Sequence, residues 1–471
     1  MMRALPLRRG MAVTLVAVFL VSGCATFSQD GGFGTVNQLT QQRLGKEVRL
    51  QKSADDEQSL RSLIAEKVKQ PLTVDDAVQI ALLNNRGLQS TYAGLGLAEA
   101  DLVQAGRLQN PTFGFKHTRS GNDVVIERTL TVNLLRLITA PLATKIEGRR
   151  FEQTKLLVAD AALEVAADTR RAYFEAVAAQ QSVTYAKQVN ASAAAGAELA
   201  TRMAGAGNWS QLDLLREQAF YVDATSAVGR TAKESVIARE KLTRLLGLWG
   251  TDTQYTLLDR LPNLPAATLD LPQVEQLAIR DRLDIQAGQL QLKGTATSLG
   301  LTKTTRFINV LNLGAVRNSE TGLPTAPGYE ITLEIPLFDW GSARVARAES
   351  IYLQAANQLA ETTVNARSEA RESYLVYRAS YDQAKHYRDQ VLPLRKRIAD
   401  EMQLRYNGML VSVFELLADA REQSNAANGY IAALRDYWVA ESNLQAALGG
   451  RLPAAANTST NKIDNQQGVK P

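Results

Sequence analysis

Two stretches of the chain alternate apolar and polar residues with a period of two, the pattern of a β-strand whose faces meet different surroundings. In the first stretch, Leu130, Val132 and Leu134 alternate with threonine and asparagine. The apolar positions of the second stretch are Ile331, Leu333, Ile335 and Leu337. An apolar face opposite a polar face suits a strand with lipid on one side and water on the other. A surface hairpin packed on helices would show the same alternation.

Each of these stretches has an upstream partner and a connection of turn residues, so the pattern predicts two β-hairpins. The predicted strands lie at about 111–118, 124–135, 306–317 and 328–338, and the alternation is weakest in the third. Tyr329, Phe338 and Trp340 are placed as an aromatic girdle at a membrane interface would be.

Long helical patterns follow both hairpins. From Gly341 to Tyr406 the pattern is helical almost throughout, roughly 65 residues or about 100 Å of helix. Ala370, Tyr377, Ala384, Val391 and Ile398 recur every seven residues in this region. A seven-residue repeat indicates a supercoiled neighbour, and Pro393 predicts a kink near the far end. Residues 140–203 repeat the pattern with much alanine.

The chain contains an internal repeat that covers most of its length. Leu214-Leu215 matches Leu416-Leu417, and Leu246-Gly247 matches Leu448-Gly449, both at an offset of 202. Each half predicts a helix, two strands, a long helix, a turn and a returning helix. The predicted repeats cover 71–262 and 263–452, with helical hairpins at about 140–248 and 341–449. A lead-in at 24–70 precedes them, and 453–471 reads as a disordered tail.

The amino terminus reads as a secretory signal over 1–23, with three arginines before a short apolar run. This signal ends in Val21-Ser22-Gly23-Cys24, which resembles a lipobox and predicts cleavage and lipid attachment at Cys24. An ordinary signal peptide beside an incidental cysteine is the alternative. Cys24 is the only cysteine, so no internal disulfide is possible, and Ala25 favours the outer membrane.

The net charge of the chain adds little to the prediction of fold and function. Without the three arginines of the signal, the formal net charge falls from +5 to +2. A nearly neutral chain of this kind gives no indication of nucleic-acid binding.

Four predicted strands are too few for a transmembrane barrel, which needs about eight, and open sheet edges are not tolerated in lipid. The chain must therefore pool its strands with copies of itself. The sequence alone permits two, three or four copies.

At this point the chain resembles the TolC family of outer-membrane efflux proteins, over about residues 70–450. The residues that carry the resemblance are Ile335-Pro-Leu-Phe-Asp-Trp-Gly341, Arg405-Tyr-Asn-Gly-Met-Leu410, Phe414-Glu-Leu-Leu417 and the duplicated Leu-Thr-Val-Asp-Asp-Ala segment. The first half departs from the pattern, with Asn133-Leu-Leu-Arg136 in place of Pro-Leu-Phe-Asp and a turn without tyrosine.

The resemblance implies a mainly α fold with a small transmembrane β part. A homotrimer forms a twelve-stranded β-barrel, which continues as an α-helical periplasmic tunnel of coiled-coil-like hairpins. It also implies an outer-membrane duct of a tripartite efflux system for drugs or metal ions. The partners implied are a periplasmic adaptor protein and a proton-driven inner-membrane pump.

Further residues take roles from the resemblance. Asp400, assisted by Glu401, is placed to narrow the tunnel as a ring of carboxylates, although both residues are equally typical of solvated coiled-coil charges. The turns between helices are expected to dock on the adaptor, and their residues are Gly205, Gly207, Tyr406, Gly408, Met409 and Leu410. Gly408 is expected to permit the second turn, which simple turn chemistry also explains.

Catalytic chemistry is not indicated. The two histidines, His117 and His386, lie on different predicted elements, and no triad, metal cluster or phosphate-binding loop is recognisable. We therefore expect neither an enzyme nor a cofactor. The competing hypotheses are a lipid-anchored helical scaffold without a pore and the exit duct of a type I protein secretion system. The exported substrate is not readable, although the tip 406–410 is similar to that of members serving metal-ion pumps.

Overall fold

The computed structural model describes residues 26–452. The predicted signal 1–23, the lipidation site Cys24 and the predicted tail 453–471 lie outside the described residues. The described chain is mostly helical and contains one small β-sheet. The fold class expected from the sequence is therefore confirmed.

The first half of the described chain begins with four helices, followed by a β-hairpin and a helical hairpin. These elements are α1 (Phe33–Leu44), α2 (Ala54–Lys67), α3 (Val74–Asn84), α4 (Arg86–Gly106), β1 (Thr112–Ser120), β2 (Asp123–Asn133), α5 (Leu134–Gly205) and α6 (Gln211–Leu246). Helix α5 alone has 72 residues, or about 108 Å of helix.

The second half repeats the order of α3 to α6. Its elements are α7 (Val274–Asp281), α8 (Leu283–Thr305), β3 (Leu311–Glu320), β4 (Ala326–Leu333), α9 (Ser342–His386), α10 (Leu392–Asn407) and α11 (Val413–Ala447). A short 3-10 turn, Gly250–Thr253, lies between the halves, and a π-helical turn, Tyr387–Val391, joins α9 to α10.

The described chain divides into two compact units. The first contains the sheet and the helix segments within 26–36, 91–158 and 283–363. The second contains 37–90, 159–282 and 364–452. Both helix-to-helix turns and the main apolar core belong to the second unit.

The sheet of the first unit has the strand order β1-β2-β3-β4, and all neighbouring strands are antiparallel. β2 and β3 come from different halves of the chain and pair from Val125↔Glu320 to Asn133↔Asn312. β1 and β4 are therefore the edges of the sheet. No described strand pairs with either edge.

The two halves leave the sheet differently. β2 runs directly into α5, and Asn133 accepts a hydrogen bond from the backbone N–H of Arg136 at 2.8 Å, which caps the helix. After β4, Pro336 lacks a donor for strand pairing and Gly341 has φ +73°, so helix α9 begins only at Ser342. Asn133-Leu-Leu-Arg136, the first-half motif that stands in place of Pro-Leu-Phe-Asp, is thus where β2 and α5 are continuous.

The core of the second unit consists of aromatic side chains and buried alanines. Tyr173, 1% exposed, donates a hydrogen bond to the carbonyl of Leu72 at 2.7 Å. Trp438 donates through Nε1 to the carbonyl of Pro262 at 3.0 Å. Buried alanines of α5, α9 and α11 line the helix contacts, and their small side chains permit close helix approach.

Pro393 lies in the first turn of α10, directly after a π-helical turn. The proline has no N–H for the preceding turn, and the hydrogen-bond pattern changes to the π form at Tyr387–Val391 before α10 begins.

None of the helices in the described part of the chain combines the length and apolar composition that a membrane-spanning helix needs.

Candidate functional site: the two-faced sheet and the helix tips

The strand register sorts the side chains of the sheet into two chemically different faces, because directly paired residues share a face. The apolar face carries Phe113, Phe115, Val124, Ile126, Leu130, Val132, Leu311, Leu313, Ala315, Pro327, Tyr329, Ile331 and Leu333, together with His117, Arg119, Arg128, Arg317 and Ser319. Large members of this face are exposed, including Phe113 at 65% and Tyr329 at 80%. An exposed apolar surface of this extent indicates contact with lipid or another protein.

The opposite, polar face carries all the carboxylates of the four strands. These are Asp123, Glu127, Glu320 and Glu330. Lys116 is the one basic residue of the strands on this face, and its register partner is Glu127. Threonine, asparagine and glycine occupy most other positions, and Val125, Val316 and Ala326 are the apolar exceptions.

The segment after β4 extends the exposed apolar surface. Ile335 and Leu337 are both 69% exposed, and Phe338 is 99% exposed. The ring centroid of Trp340 lies 6.2 Å from that of Phe307 in an edge-to-face arrangement. Aromatic side chains held at the end of an apolar band are typical of a membrane interface.

The second tip, residues 405–412, is a Schellman turn between α10 and α11. The N–H of Leu410 donates to the carbonyl of Arg405 at 2.8 Å, and the N–H of Met409 donates to that of Tyr406 at 2.9 Å. Met409 is 92% and Leu410 77% exposed. The expectation that Gly408 supplies the special backbone conformation is wrong. Gly408 has φ −81°, and the left-handed residue is Met409, with φ +58°.

The first tip, residues 203–210, has the same backbone motif. The N–H of Asn208 donates to the carbonyl of Met203, and that of Gly207 to Ala204, both at 3.0 Å. Here the left-handed position belongs to Gly207, with φ +78°, and Gly205 is the last helical residue. Ser210 and Ser412 then cap the returning helices α6 and α11.

Asp400 and Glu401 lie on α10, two turns before the second tip. Asp400 is exposed, and its carboxylate makes no hydrogen bond or ion pair with any described residue. Glu401 is paired with Arg405 at 2.9 Å, and both side chains are more than half exposed. The two acidic neighbours therefore differ, since only Asp400 lacks a cationic partner among the described residues.

A buried ion pair near the tips was not anticipated from the sequence. Glu217 of α6 is 1% exposed and accepts a hydrogen bond from Arg421 of α11, whose guanidinium also lies 4.4 Å from the ring centroid of Phe220. The partners are far apart in sequence, so no local pattern marks them.

Glu441 of α11 is a second unanticipated group. Burial raises the pKa of its carboxyl to about 7, against the opposing effect of the Arg170 guanidinium. It lies close to the core residues Tyr377 and Tyr437, and its charge helps to raise the pKa of both tyrosines.

The histidines are not brought into a site. His117 lies on β1 and His386 ends helix α9, where it contacts the Tyr387 ring. Within residues 26–452, no cluster of His, Cys, Asp and Glu side chains has the arrangement of a metal site.

This architecture is that of solved outer-membrane channels. The chain matches the VceC outer membrane protein of Vibrio cholerae with a TM-score of 0.65 and 15% identity, over 84% of this chain and 97% of that one. It matches the MtrE outer membrane channel of Neisseria gonorrhoeae with a TM-score of 0.66 and 16% identity, over 80% and 89% of the two chains. The resemblance to the TolC family is confirmed at the level of the fold.

A sequence relative has a more specific description. Over 278 residues the chain is 23% identical to the cobalt-zinc-cadmium resistance protein CzcC of Cupriavidus metallidurans. The aligned region covers 57% of this chain and 64% of that protein. The match therefore spans less than two thirds of the length of this curated relative. No family model matches the chain.

Proposed function

We propose that the chain is one subunit of an outer-membrane channel, the passive exit duct of a tripartite efflux system. The observation that carries this proposal is the two-faced sheet. Its apolar face is exposed to the surroundings, and all strand carboxylates lie on the other face. That arrangement suits lipid on one side and water on the other. A helical scaffold without a pore has no use for it.

The free edges of β1 and β4 support a homotrimer. Backbone groups in lipid must all be hydrogen-bonded, so a four-stranded sheet requires strands from other copies. Three copies supply twelve strands in the barrel of the proposal. Exposed aliphatic side chains on the long helices support further contacts between copies. Examples are Val364, Leu375 and Leu404 on α9 and α10, and Val236 and Ile237 on α6.

We infer metal ions as the exported substrate, ahead of drugs. The description of CzcC as a cobalt-zinc-cadmium resistance protein supports this inference. The polar face adds an argument, because its four carboxylates and one lysine favour cations in a water-filled lumen. This preference is a property of the duct wall, and the energy for transport comes from a partner.

The helix tips are the proposed docking surface for a periplasmic adaptor, which joins the duct to a proton-driven inner-membrane pump. Met409 and Leu410 present apolar side chains to solvent at the second tip, where both are more than three quarters exposed. The first tip has Gly207 and Asn208 at the corresponding positions, so it offers less apolar surface. Unequal contributions of the two tips are therefore expected.

The proposal is tested by the conductance of the purified protein in planar lipid bilayers. Two substitutions at neighbouring positions of β2 make a matched pair. Val132→Lys places a charge in the middle line of the apolar face and should cost about 2–4 kcal/mol at the membrane midplane, which prevents stable insertion. Thr131→Lys, on the polar face, should insert normally. Absence of conductance steps from the wild type, or equal impairment by both substitutions, would overturn the proposal.

A further inference from the structure

The charges of the sheet are segregated by face. Arg119, Arg128 and Arg317 lie on the apolar face, which carries no aspartate or glutamate in any of its four strands. The carboxylates all lie on the polar face. Attraction between opposite charges within the sheet would favour arginines and carboxylates on the same face. Their separation therefore indicates an interaction of the arginines with a group outside the sheet.

Arg128 and Arg317 are direct register partners across β2 and β3. Like charges directly opposite each other on neighbouring strands destabilise a sheet unless an anion compensates them. Neither guanidinium has a hydrogen-bond or ion-pair partner among residues 26–452. Arg128 is partly buried and Arg317 exposed.

The position of this pair relative to the apolar side chains is informative. We call the cross-strand line of Phe115, Arg128, Arg317 and Pro327 the arginine row. Three further cross-strand lines of side chains on this face lie between the arginine row and the strand ends that join the helices, and all three are apolar. The line furthest from the arginine row contains Leu311 and Leu333. Six residues separate Leu311 from Arg317, which is about 20 Å along a strand. The arginine row therefore lies at the turn-proximal margin of the apolar band, and Arg119 lies two lines further out.

We propose that Arg128 and Arg317 form a binding site for the phosphate group of an anionic membrane lipid. This inference rests on the proposed function, because it requires the apolar face to contact lipid. The acyl chains then lie along the apolar band, and the phosphate meets the two guanidiniums at its margin, where each can donate two hydrogen bonds. The absence of carboxylates on this face removes competing partners for the arginines.

The test uses the purified trimer in phosphatidylcholine vesicles that contain phosphatidic acid. Native mass spectrometry counts the phosphatidic acid molecules that remain bound after detergent extraction. The wild type should retain phosphatidic acid in preference to phosphatidylcholine. Arg128→Gln and Arg317→Gln should each lower this preference about fivefold. Lys116→Gln removes a positive charge from the polar face of the same sheet and should leave the preference unchanged.

Three results would overturn the inference. They are wild-type retention by the double variant Arg128→Gln with Arg317→Gln, equal loss in Lys116→Gln, and displacement of the lipid by inorganic phosphate alone, which would indicate a site for a free anion. Bilayer conductance of the same preparations separates this inference from the proposed function. A wild type that conducts but shows no preference for phosphatidic acid contradicts the lipid site alone. A wild type that neither inserts nor conducts contradicts both.

Discussion

Gly207 and Met409 occupy the same left-handed position in the two helix tips, with φ +78° and +58°. They are separated by 202 positions, the offset that relates the two halves of the chain. Glycine adopts this conformation without a steric cost, whereas a residue with a Cβ atom does not. In the second tip, the backbone conformation therefore disfavours the methionine at position 409. The side chain of Met409 is nevertheless almost wholly exposed.

Met409→Gly should stabilise the second tip by about 1 kcal/mol, because the Cβ conflict disappears and no packing is lost. Hydrogen exchange of the Leu410 amide should slow accordingly. Export should nevertheless fall if Met409 contacts the adaptor, which growth of a complemented strain on cobalt, zinc or cadmium would measure. Gly207→Met is the matched control and should destabilise the first tip. Faster exchange in Met409→Gly would contradict the conformational argument.

The Arg421–Glu217 pair should be essential to packing near the tips. Arg421→Met leaves the Glu217 carboxylate buried without a cation, which costs about 3–5 kcal/mol. The double variant Arg421→Met with Glu217→Gln should recover most of this loss, since no unpaired charge remains buried. Midpoints of thermal unfolding of the trimer measure both effects. An unchanged midpoint in Arg421→Met would show that the pair contributes nothing.

Glu441 predicts a pH dependence of stability. Its pKa is raised from an ordinary value of 4.5 to about 7, so between these values the folded protein holds a proton that the unfolded chain releases. Stability should therefore fall as pH rises from 4.5 through 7, by up to about 3 kcal/mol, and then level off. Glu441→Gln should match the wild type near pH 4.5 and exceed it at pH 8.

Unfolding curves across this range measure the effect. Glu372→Gln, at an exposed position of α9, is the control and should leave the pH profile unchanged. If the unfolding midpoint of Glu441→Gln at pH 8 is no higher than that of the wild type, the charged carboxylate of Glu441 does not destabilise the fold.

Patterns with a regular period made the fold predictable from the sequence. Alternation located β2 and β4, and the duplication indicated the element order in both halves. β4 was placed at 328–338 but spans Ala326–Leu333, because Pro336 has no backbone N–H for strand pairing. β3 was placed at 306–317 but spans Leu311–Glu320, because α8 continues to Thr305 and the alternation there is weak. α5 begins at Leu134 rather than near 140, because the Asn133 cap starts the helix directly after the strand.

Features of the candidate site that depend on distant pairing could not be predicted. The Glu217–Arg421 contact and the Arg128↔Arg317 register each join residues from different halves of the chain. Neither has a local signature, since an isolated charge in a strand or helix is compatible with many partners. The tip residues were recognisable from composition, but the assignment of the left-handed position to Met409 required the backbone geometry.

Cys24 lies outside the described residues, and its lipidation stays a prediction from the lipobox pattern. Cys24→Ser should abolish incorporation of radiolabelled palmitate and leave the signal uncleaved at this position. Membrane insertion should persist, because the two-faced sheet holds the protein in lipid independently. A wild type that takes up no palmitate would refute the lipoprotein interpretation without affecting the proposed channel.

Asp400→Ala should widen and neutralise the periplasmic end of the duct. Three copies of an unpaired carboxylate near one axis favour bound cations and disfavour anions, and a narrow passage strengthens their field. Bilayer conductance should rise and cation preference fall. Glu401→Gln is the control within the same helical turn, because Glu401 is already neutralised by Arg405 and its loss should change little.

An Asp400 that faces the outside of the assembly predicts a different result. Its field would be screened within about 8–10 Å at physiological salt, so neither conductance nor selectivity would respond. Conductance and reversal potential of the wild type, Asp400→Ala and Glu401→Gln, measured in parallel, separate the two positions. Unchanged values in an Asp400→Ala protein that still forms trimers would assign Asp400 to the solvated outer face. A response of Glu401→Gln equal to that of Asp400→Ala would place both carboxylates in the passage and contradict the neutralising role of Arg405.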